Sequence, residues 1–317
     1  MNLENYKEAI YYFSQAIKFP VGKKALSVIF NLRGTAYAEL GDYDKAFEDY
    51  EEAVKLNPKY EEAYNNRAII HHNLGQFNEA IEDYTKAIEL ADKLKKKIVG
   101  AFALYNRGRV YFDKGEYERA AGDLTEALRL RPDYAEAYNF RGLTYLKMGM
   151  REKAAEDFDK ALQLIPEYWD AYFNRGLIYL NDKEYDKAID DFTIAIKLNP
   201  LNAEIYNNRG IAFSEREELD KAIMDFSQAI KLNPNHREAY FNRGNCYHKT
   251  EEYQKAIDDF SDVLRLNPEE AEALYWRGIS YFHQQENEKS IFDLKKAAEL
   301  GHDGARKFLK KYFHLDY

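Results

Sequence analysis

Apolar and small residues recur along this chain at helical spacing, in paired blocks. Over residues 203–236, Ile205, Tyr206, Gly210, Ile211 and Phe213 mark one amphipathic helix, and Leu219, Ala222, Ile223, Phe226, Ala229 and Ile230 mark a second. Glu217-Glu218 separates the two. Asn233-Pro234 stops the second, because a residue preceding proline is pushed out of the helical region. The predicted unit is an αα-hairpin. The pattern returns every 34 residues, marked by Arg33-Gly34, Arg67-Ala68, Arg107-Gly108, Arg141-Gly142, Arg175-Gly176, Arg209-Gly210, Arg243-Gly244 and Arg277-Gly278. One spacing is 40, because Asp92-Lys93-Leu94-Lys95-Lys96-Lys97 adds six residues to the second copy and predicts a longer hairpin there. A fixed period of this size predicts stacked hairpins that bury their apolar faces on one another.

Each copy can be numbered from Ser27, Glu61, Ala101, Ala135, Trp169, Ala203, Arg237 or Ala271 as position 1. Position 8 is then Gly in seven copies, and position 20 is Ala in seven, with Ser290 in the last. Such small side chains predict close approach of the two helix axes. Aromatics at position 11 (Tyr37, Tyr111, Tyr145, Tyr179, Phe213, Tyr247, Tyr281) and at 24 (Tyr50, Tyr84, Phe158, Phe192, Phe226, Phe260) fill the space around that contact.

Tyr206, Gly210, Phe213, Ala222, Phe226, Ala229 and Pro234 follow in order the aromatic, Gly, aromatic, Ala, aromatic, Ala and Pro of the tetratricopeptide repeat family, which the chain resembles over nearly its whole length. The resemblance implies an all-α, right-handed α-solenoid of tandem helix-turn-helix hairpins, with the first helices lining a concave groove. Residues 1–26 read as an N-terminal half-repeat, capping helix and linker, 27–301 as eight repeats and 302–317 as a C-terminal capping helix. The half-repeat is either a natural cap or the continuation of something longer. The second copy departs at Ala68 and at His71, which replaces a core aromatic.

Composition narrows the function classes. A net charge of −9 argues against a general phosphate-binding surface, and hence against nucleic acid. The single Cys246 excludes an internal disulfide and a thiolate cluster, and its place among Ala36, Ile70, Ala212 and Ser280 predicts a buried thiol. No apolar run approaches the ~18 residues of a membrane helix, and the first residues are not a secretory signal. A cytoplasmic protein is the expectation. No phosphate loop, His-Glu-x-x-His or nucleophile elbow is present. His71 and His72 point about 100° apart on a helix and cannot share a metal. The expectation is no enzyme, no catalytic residue, no metal and no cofactor. The Lys93–Lys97 run reads as an exposed helix end.

Position 7 is Arg in every copy and position 23 is Asp in every copy, from Asp49 to Asp293. The two lie equidistant from the turn, so they predict a salt bridge within a hairpin or to its neighbour. Eightfold repetition favours architecture over a charged ladder for a ligand.

Groove residues in the family come largely from positions 2, 5, 6, 9, 12 and 13 of the first helix. Here positions 5 and 6 carry Asn65, Asn66, Asn106, Asn139, Asn174, Asn207, Asn208 and Asn242, together with Phe173 and Phe241. An Asn amide both donates and accepts, so a row of them can grip a peptide backbone without reading its sequence. This resembles the asparagine ladder of O-linked N-acetylglucosamine transferases, interrupted here by Leu32, Phe140 and Trp276. Aromatics can add anchors. Repeats that hold the acidic tail of heat-shock chaperones carry cations at positions 2, 5 and 6. Here position 2 is mostly acidic (Glu62, Glu136, Asp170, Glu204, Glu238, Glu272), so a neutral or basic segment suits the groove better. The function expected is a non-catalytic scaffold that binds an extended peptide segment of a partner protein. The alternatives are the regulatory or substrate-recruiting arm of a longer enzyme and a self-associating structural module. No nucleic-acid or membrane partner is expected.

Overall fold

The structure, a computed structural model, describes residues 3–316. Met1, Asn2 and Tyr317, which fall within the expected half-repeat and cap, lie outside the described residues. The chain forms two compact units that divide between Pro166 and Glu167. All 18 regular elements among the described residues are α-helices.

The first unit holds α1 (Leu3–Ala16), α2 (Lys23–Glu39), α3 (Tyr43–Leu56), α4 (Glu61–Asn73), α5 (Phe77–Lys93), α6 (Lys97–Asp113), α7 (Tyr117–Leu130), α8 (Ala135–Lys147) and α9 (Arg151–Leu164). The second holds α10 (Trp169–Asn181), α11 (Tyr185–Leu198), α12 (Ala203–Glu215), α13 (Leu219–Leu232), α14 (Arg237–Lys249), α15 (Tyr253–Leu266), α16 (Ala271–His283), α17 (Asn287–Glu299) and α18 (Asp303–Phe313). Within each unit consecutive helices pack as antiparallel hairpins, and each hairpin packs on the next, which is the arrangement of an α-solenoid. The six inserted residues lengthen both flanking helices: α5 and α6 are 17 residues each, and α6 starts at Lys97, ahead of the expected 101. Helix α2 likewise starts at Lys23, ahead of the expected 27.

The small residues do what their size predicts. A Cβ added to Gly210 would lie 2.7 Å from Cε1 of the fully buried Phe226, inside any tolerable contact. Gly142 and Gly176 meet Phe158 and Phe192 at the same 2.7 Å. Ala222 at position 20 is 0% exposed and sits in one apolar cluster with Phe226 and Cys246. The thiol is buried as its neighbours in the repeat pattern implied, and burial raises its pKa.

The turn inside each hairpin needs one residue in the left-handed region. In the first unit it is always glycine, Gly41, Gly75, Gly115 and Gly149, at φ from 72° to 80°. In the second it is Lys183, Glu217, Glu251 and Gln285, at φ from 61° to 65°. The following N–H closes the helix end by bonding back across the turn, as Glu218 does to the Phe213 carbonyl at 2.9 Å.

The two ends differ. Helix α1 buries no residue, and Leu3, Tyr11, Tyr12 and Phe19 are each at least 60% exposed. Helix α18 seats Ala305 and Leu309 fully in the last apolar cluster, with Phe308 and Phe313 packed against it, while Lys307, Lys310 and Lys311 are exposed.

Candidate functional site

The residues that decide the site begin with the Arg–Asp pairs, because they set how first and second helices register. All eight form with two-pronged geometry. Nε bonds one Asp oxygen and Nη2 the other, at 2.7–2.9 Å, from Arg33–Asp49 through Arg277–Asp293. Six arginines also use Nη1 to reach a hydroxyl on the preceding second helix: Ser14, Thr85, Thr125, Thr193, Ser227 and Ser261, at 2.8–3.1 Å. One guanidinium therefore ties three helices and fixes the stacking of neighbours. Burial pushes the Asp157 and Asp259 carboxyls above the ordinary range, against the pull of Arg141 and Arg243. At these two carboxyls the desolvation is only partly offset, while the Arg141 and Arg243 guanidiniums are held charged by the same bonds.

The asparagines also bond between repeats. Asn66 Nδ2 donates to Asn31 Oδ1 at 3.0 Å, Asn106 Nδ2 to Asn65 Oδ1 at 3.5 Å, and Asn242 Nδ2 to Asn207 Oδ1 at 3.3 Å. Each bond joins position 5 of one first helix to position 6 of the next. Asn65 also donates to Asn66 Oδ1 at 3.4 Å, and Asn208 donates to the Glu204 carbonyl at 2.8 Å. Where position 5 is aromatic, its partner can be aromatic too: Tyr105 meets Phe140 edge-on at 6.0 Å. Three pairs of helix-interior asparagines are thus accounted for by a bond between repeats and Asn208 by one within its own helix, and each of these amides keeps hydrogen-bonding capacity beyond it.

Of the expected groove residues, Asn139, Asn174 and Asn207 are buried, while Asn65, Asn66, Asn106, Asn208 and Asn242 are partly exposed. Phe173 and Phe241 are half-buried and lie against the core rings of Phe192 and Phe260 at 5.9 and 5.7 Å.

In the second unit two open cavities that share Asn242 lie among the first helices and the second helices behind them. One, of about 280 Å³, is lined by Arg237, Glu238, Phe241, Val263, Glu270 and Glu272. The other, of about 250 Å³, is lined by Ile211, Ser214, Glu215, Phe226, Asn245, His248, Lys249 and Trp276. Asn245 Oδ1 is buried and receives no hydrogen bond from the protein. Trp276 Nε1 donates to Glu272 Oε1 at 3.0 Å. His248 packs its ring on Trp276, Tyr253 and His283, and burial lowers its pKa to about 4. Ser280 Oγ donates to the Trp276 carbonyl at 2.8 Å, so it accepts from His248 Nδ1 at 2.9 Å, and the neutral imidazole carries its proton on Nδ1. Sequence reasoning missed Asn245, His248 and Trp276. The available signal was position 9, where Asn245 stands among mostly apolar residues.

In the first unit, a further cavity of about 580 Å³ lies at the insertion, between Ile88, Ala91, Leu104 and Leu130 below and Lys95, Lys97, Glu126 and Arg129 at its rim. His71 is half-buried beside Phe47 and bonds Gln76, and His72 bonds Asp113 at 2.7 Å. Among the described residues no three His, Cys, Asp or Glu are grouped to hold a metal, and no helix is long and apolar enough to cross a membrane.

Hairpins of this period, stacked through small residues and register-setting ion pairs, define a helical-repeat solenoid. Tetratricopeptide repeat profiles match residues 34–75, 60–133, 135–168, 169–202, 203–236 and 238–270, and the chain belongs to the tetratricopeptide repeat family. No curated protein matches the chain. Among solved structures, YrrB, described as a TPR protein with an unusual peptide-binding site, is 27% identical, with a TM-score of 0.52 over 57% of this chain and 93% of that one. A tetratricopeptide repeat protein from Parabacteroides merdae is 21% identical, with a TM-score of 0.57 over 80% of this chain and 98% of the other. The C-terminal part of a repeat protein from Cytophaga hutchinsonii is 17% identical, with a TM-score of 0.61 over 77% and 98%. These last two show likeness of fold. Tetratricopeptide repeats are in general non-catalytic modules for protein interaction.

Proposed function

We propose that this protein is a non-catalytic scaffold that holds an extended segment of a partner protein against its first helices. The carrying observation is a pair of partly exposed amides in each unit, Asn66 and Asn106 in the first and Asn208 and Asn242 in the second, already oriented by bonds to their own neighbours. Preorganised amides lose little freedom on binding. Packed helices lie ~8–10 Å apart and an extended chain rises ~3.3 Å per residue, so one repeat spans roughly three residues of ligand. The acidic position 2, at Glu62, Glu136, Glu204 and Glu238, favours a neutral or basic segment. The peptide-binding site named for YrrB supports the same reading.

The test is affinity capture from source-cell lysate with wild type, Asn66→Ala/Asn106→Ala and Asn208→Ala/Asn242→Ala, all matched for helicity by circular dichroism. A partner lost with either variant supports the groove; partners retained by both place binding elsewhere. A second reading, self-association, is favoured by the exposed Tyr11, Tyr12 and Phe19 on and beside α1, and light scattering across a concentration series tests it.

A further inference from the structure

We propose that the groove formed by α12, α14 and α16 contains a subsite for a cationic side chain, Lys or Arg, with Asn245 Oδ1 as its innermost acceptor. The inference rests on the groove reading above and adds to it the chemistry of one bound residue. Position 9 of the first helix is Ile69, Leu143, Leu177, Ile211 and Ile279 in five other repeats, so the fold has no need of an amide there. In this repeat it is Asn245, whose carbonyl oxygen is buried without a donor, an arrangement that costs stability unless something else supplies the proton.

The cavity around it defines that donor. Ile211, Phe226 and Trp276 offer apolar and aromatic walls for an alkyl stem. Three of the lining's N–H groups are committed, Asn242 Nδ2 to Asn207, Trp276 Nε1 to Glu272 and His248 Nδ1 to Ser280, which leaves the Asn245 amide's own N–H groups and the exposed Lys249 ammonium. The acceptors that remain are Asn245 Oδ1 and the carboxylate of Glu215, which takes the Tyr185 hydroxyl on one oxygen at 3.2 Å. An ammonium or guanidinium group has only donors, so it matches such a site, whereas a carboxylate does not. Charge agrees. Groove positions of α12, α14 and α16 carry Glu204, Glu215, Glu238 and Glu272 against Lys249. The Trp276 ring adds a cation–π surface.

The probes are n-butylguanidinium and n-butylammonium, with butyramide as the neutral control, titrated into the full chain. The readouts are the Trp276 indole and Asn245 side-chain amide NMR signals. Saturable shifts with both cations, and none with butyramide at equal concentration, are expected. Asn245→Leu, which copies the residue at Leu143 and Leu177, should raise the melting temperature and weaken cation binding by roughly tenfold or more. Asn245→Asp should tighten it by roughly tenfold. Equal response to butyramide, or unchanged cation binding by Asn245→Leu, overturns the subsite. Partner capture separates the two readings. Capture lost with Asn208→Ala/Asn242→Ala but retained by Asn245→Leu keeps the groove and removes the subsite. Capture retained by every groove variant removes the groove, while the cation titration still decides the subsite.

Discussion

Replacing Arg209 with Met should cost more than replacing Arg209 and Asp225 together. Asp225 is 6% exposed and receives Arg209 Nε at 2.7 Å and Nη2 at 2.8 Å, while Nη1 holds Thr193 at 3.0 Å. Removing the guanidinium strands a buried carboxylate, and such losses run to about 3–5 kcal/mol. Loss of the Thr193 bond adds about 1 kcal/mol. In Arg209→Met/Asp225→Leu no charge is stranded and the apolar pair fills the space, so the double variant should lie within about 1 kcal/mol of wild type. Arg209→Lys keeps the charge but not the two-pronged geometry, and should fall between, at roughly 2 kcal/mol. Urea unfolding of wild type and the three variants gives this ranking, and amide exchange in α12 and α13 localises it, since unfolding of a repeat array need not be two-state. If the single and double variants agree within about 0.5 kcal/mol, the carboxylate is not stranded and the register role assigned to the pair is wrong.

Gly210→Ala should destabilise by about 1–2 kcal/mol, the overpacking against Phe226 at 2.7 Å exceeding the ~1 kcal/mol that Ala gains in a helix; urea melts check it, and a stabilised variant means the ring swings aside. Glu217→Gly should stabilise by roughly 0.5–1 kcal/mol, because its φ of 61° costs a side chain more than glycine loses in entropy, and an unchanged midpoint counts against that. His248 is pulled down to about 4 by burial, so the unfolded chain binds the extra proton between pH 6.5 and 4. Its contribution is intact above pH 6.5 and falls away as pH drops toward 4, by about 1–2 kcal/mol after allowance for partial exposure. A stability–pH profile measured for wild type and His248→Phe should flatten in that window for the variant; parallel profiles refute it. Asn207→Leu should leave the Asn242 Nδ2 donor without its 3.3 Å partner and lower stability by about 1 kcal/mol, with the first-helix amides of α14 exchanging faster.

The amino-acid order alone determined the hairpins, their period and the Arg–Asp partnership. These are local matters. A 3.6-residue period sets which face is apolar, and a short turn places Arg209 opposite Asp225, 16 residues on, whatever the rest of the chain does. The asparagine row was legible in composition but not in its bonding. Its matching across neighbours, Asn31 with Asn66, Asn207 with Asn242 and Tyr105 with Phe140, stands in the sequence at a spacing of 35. That spacing acquires meaning only when adjacent first helices are known to lie side by side. The third arm of six of the arginines, as Arg209 to Thr193 or Arg243 to Ser227, was hidden for the same reason.

Only tertiary structure decided which amides stay partly exposed and which are buried in the core. Asn207 and Asn242 are of one type, yet Asn207 is buried and Asn242 lines two cavities. It decided, too, that Asn245 holds an acceptor no neighbour satisfies. Burial and hydrogen-bond saturation depend on how rigid hairpins rotate against each other. No single repeat encodes that rotation, because it results from packing volumes summed over both neighbours.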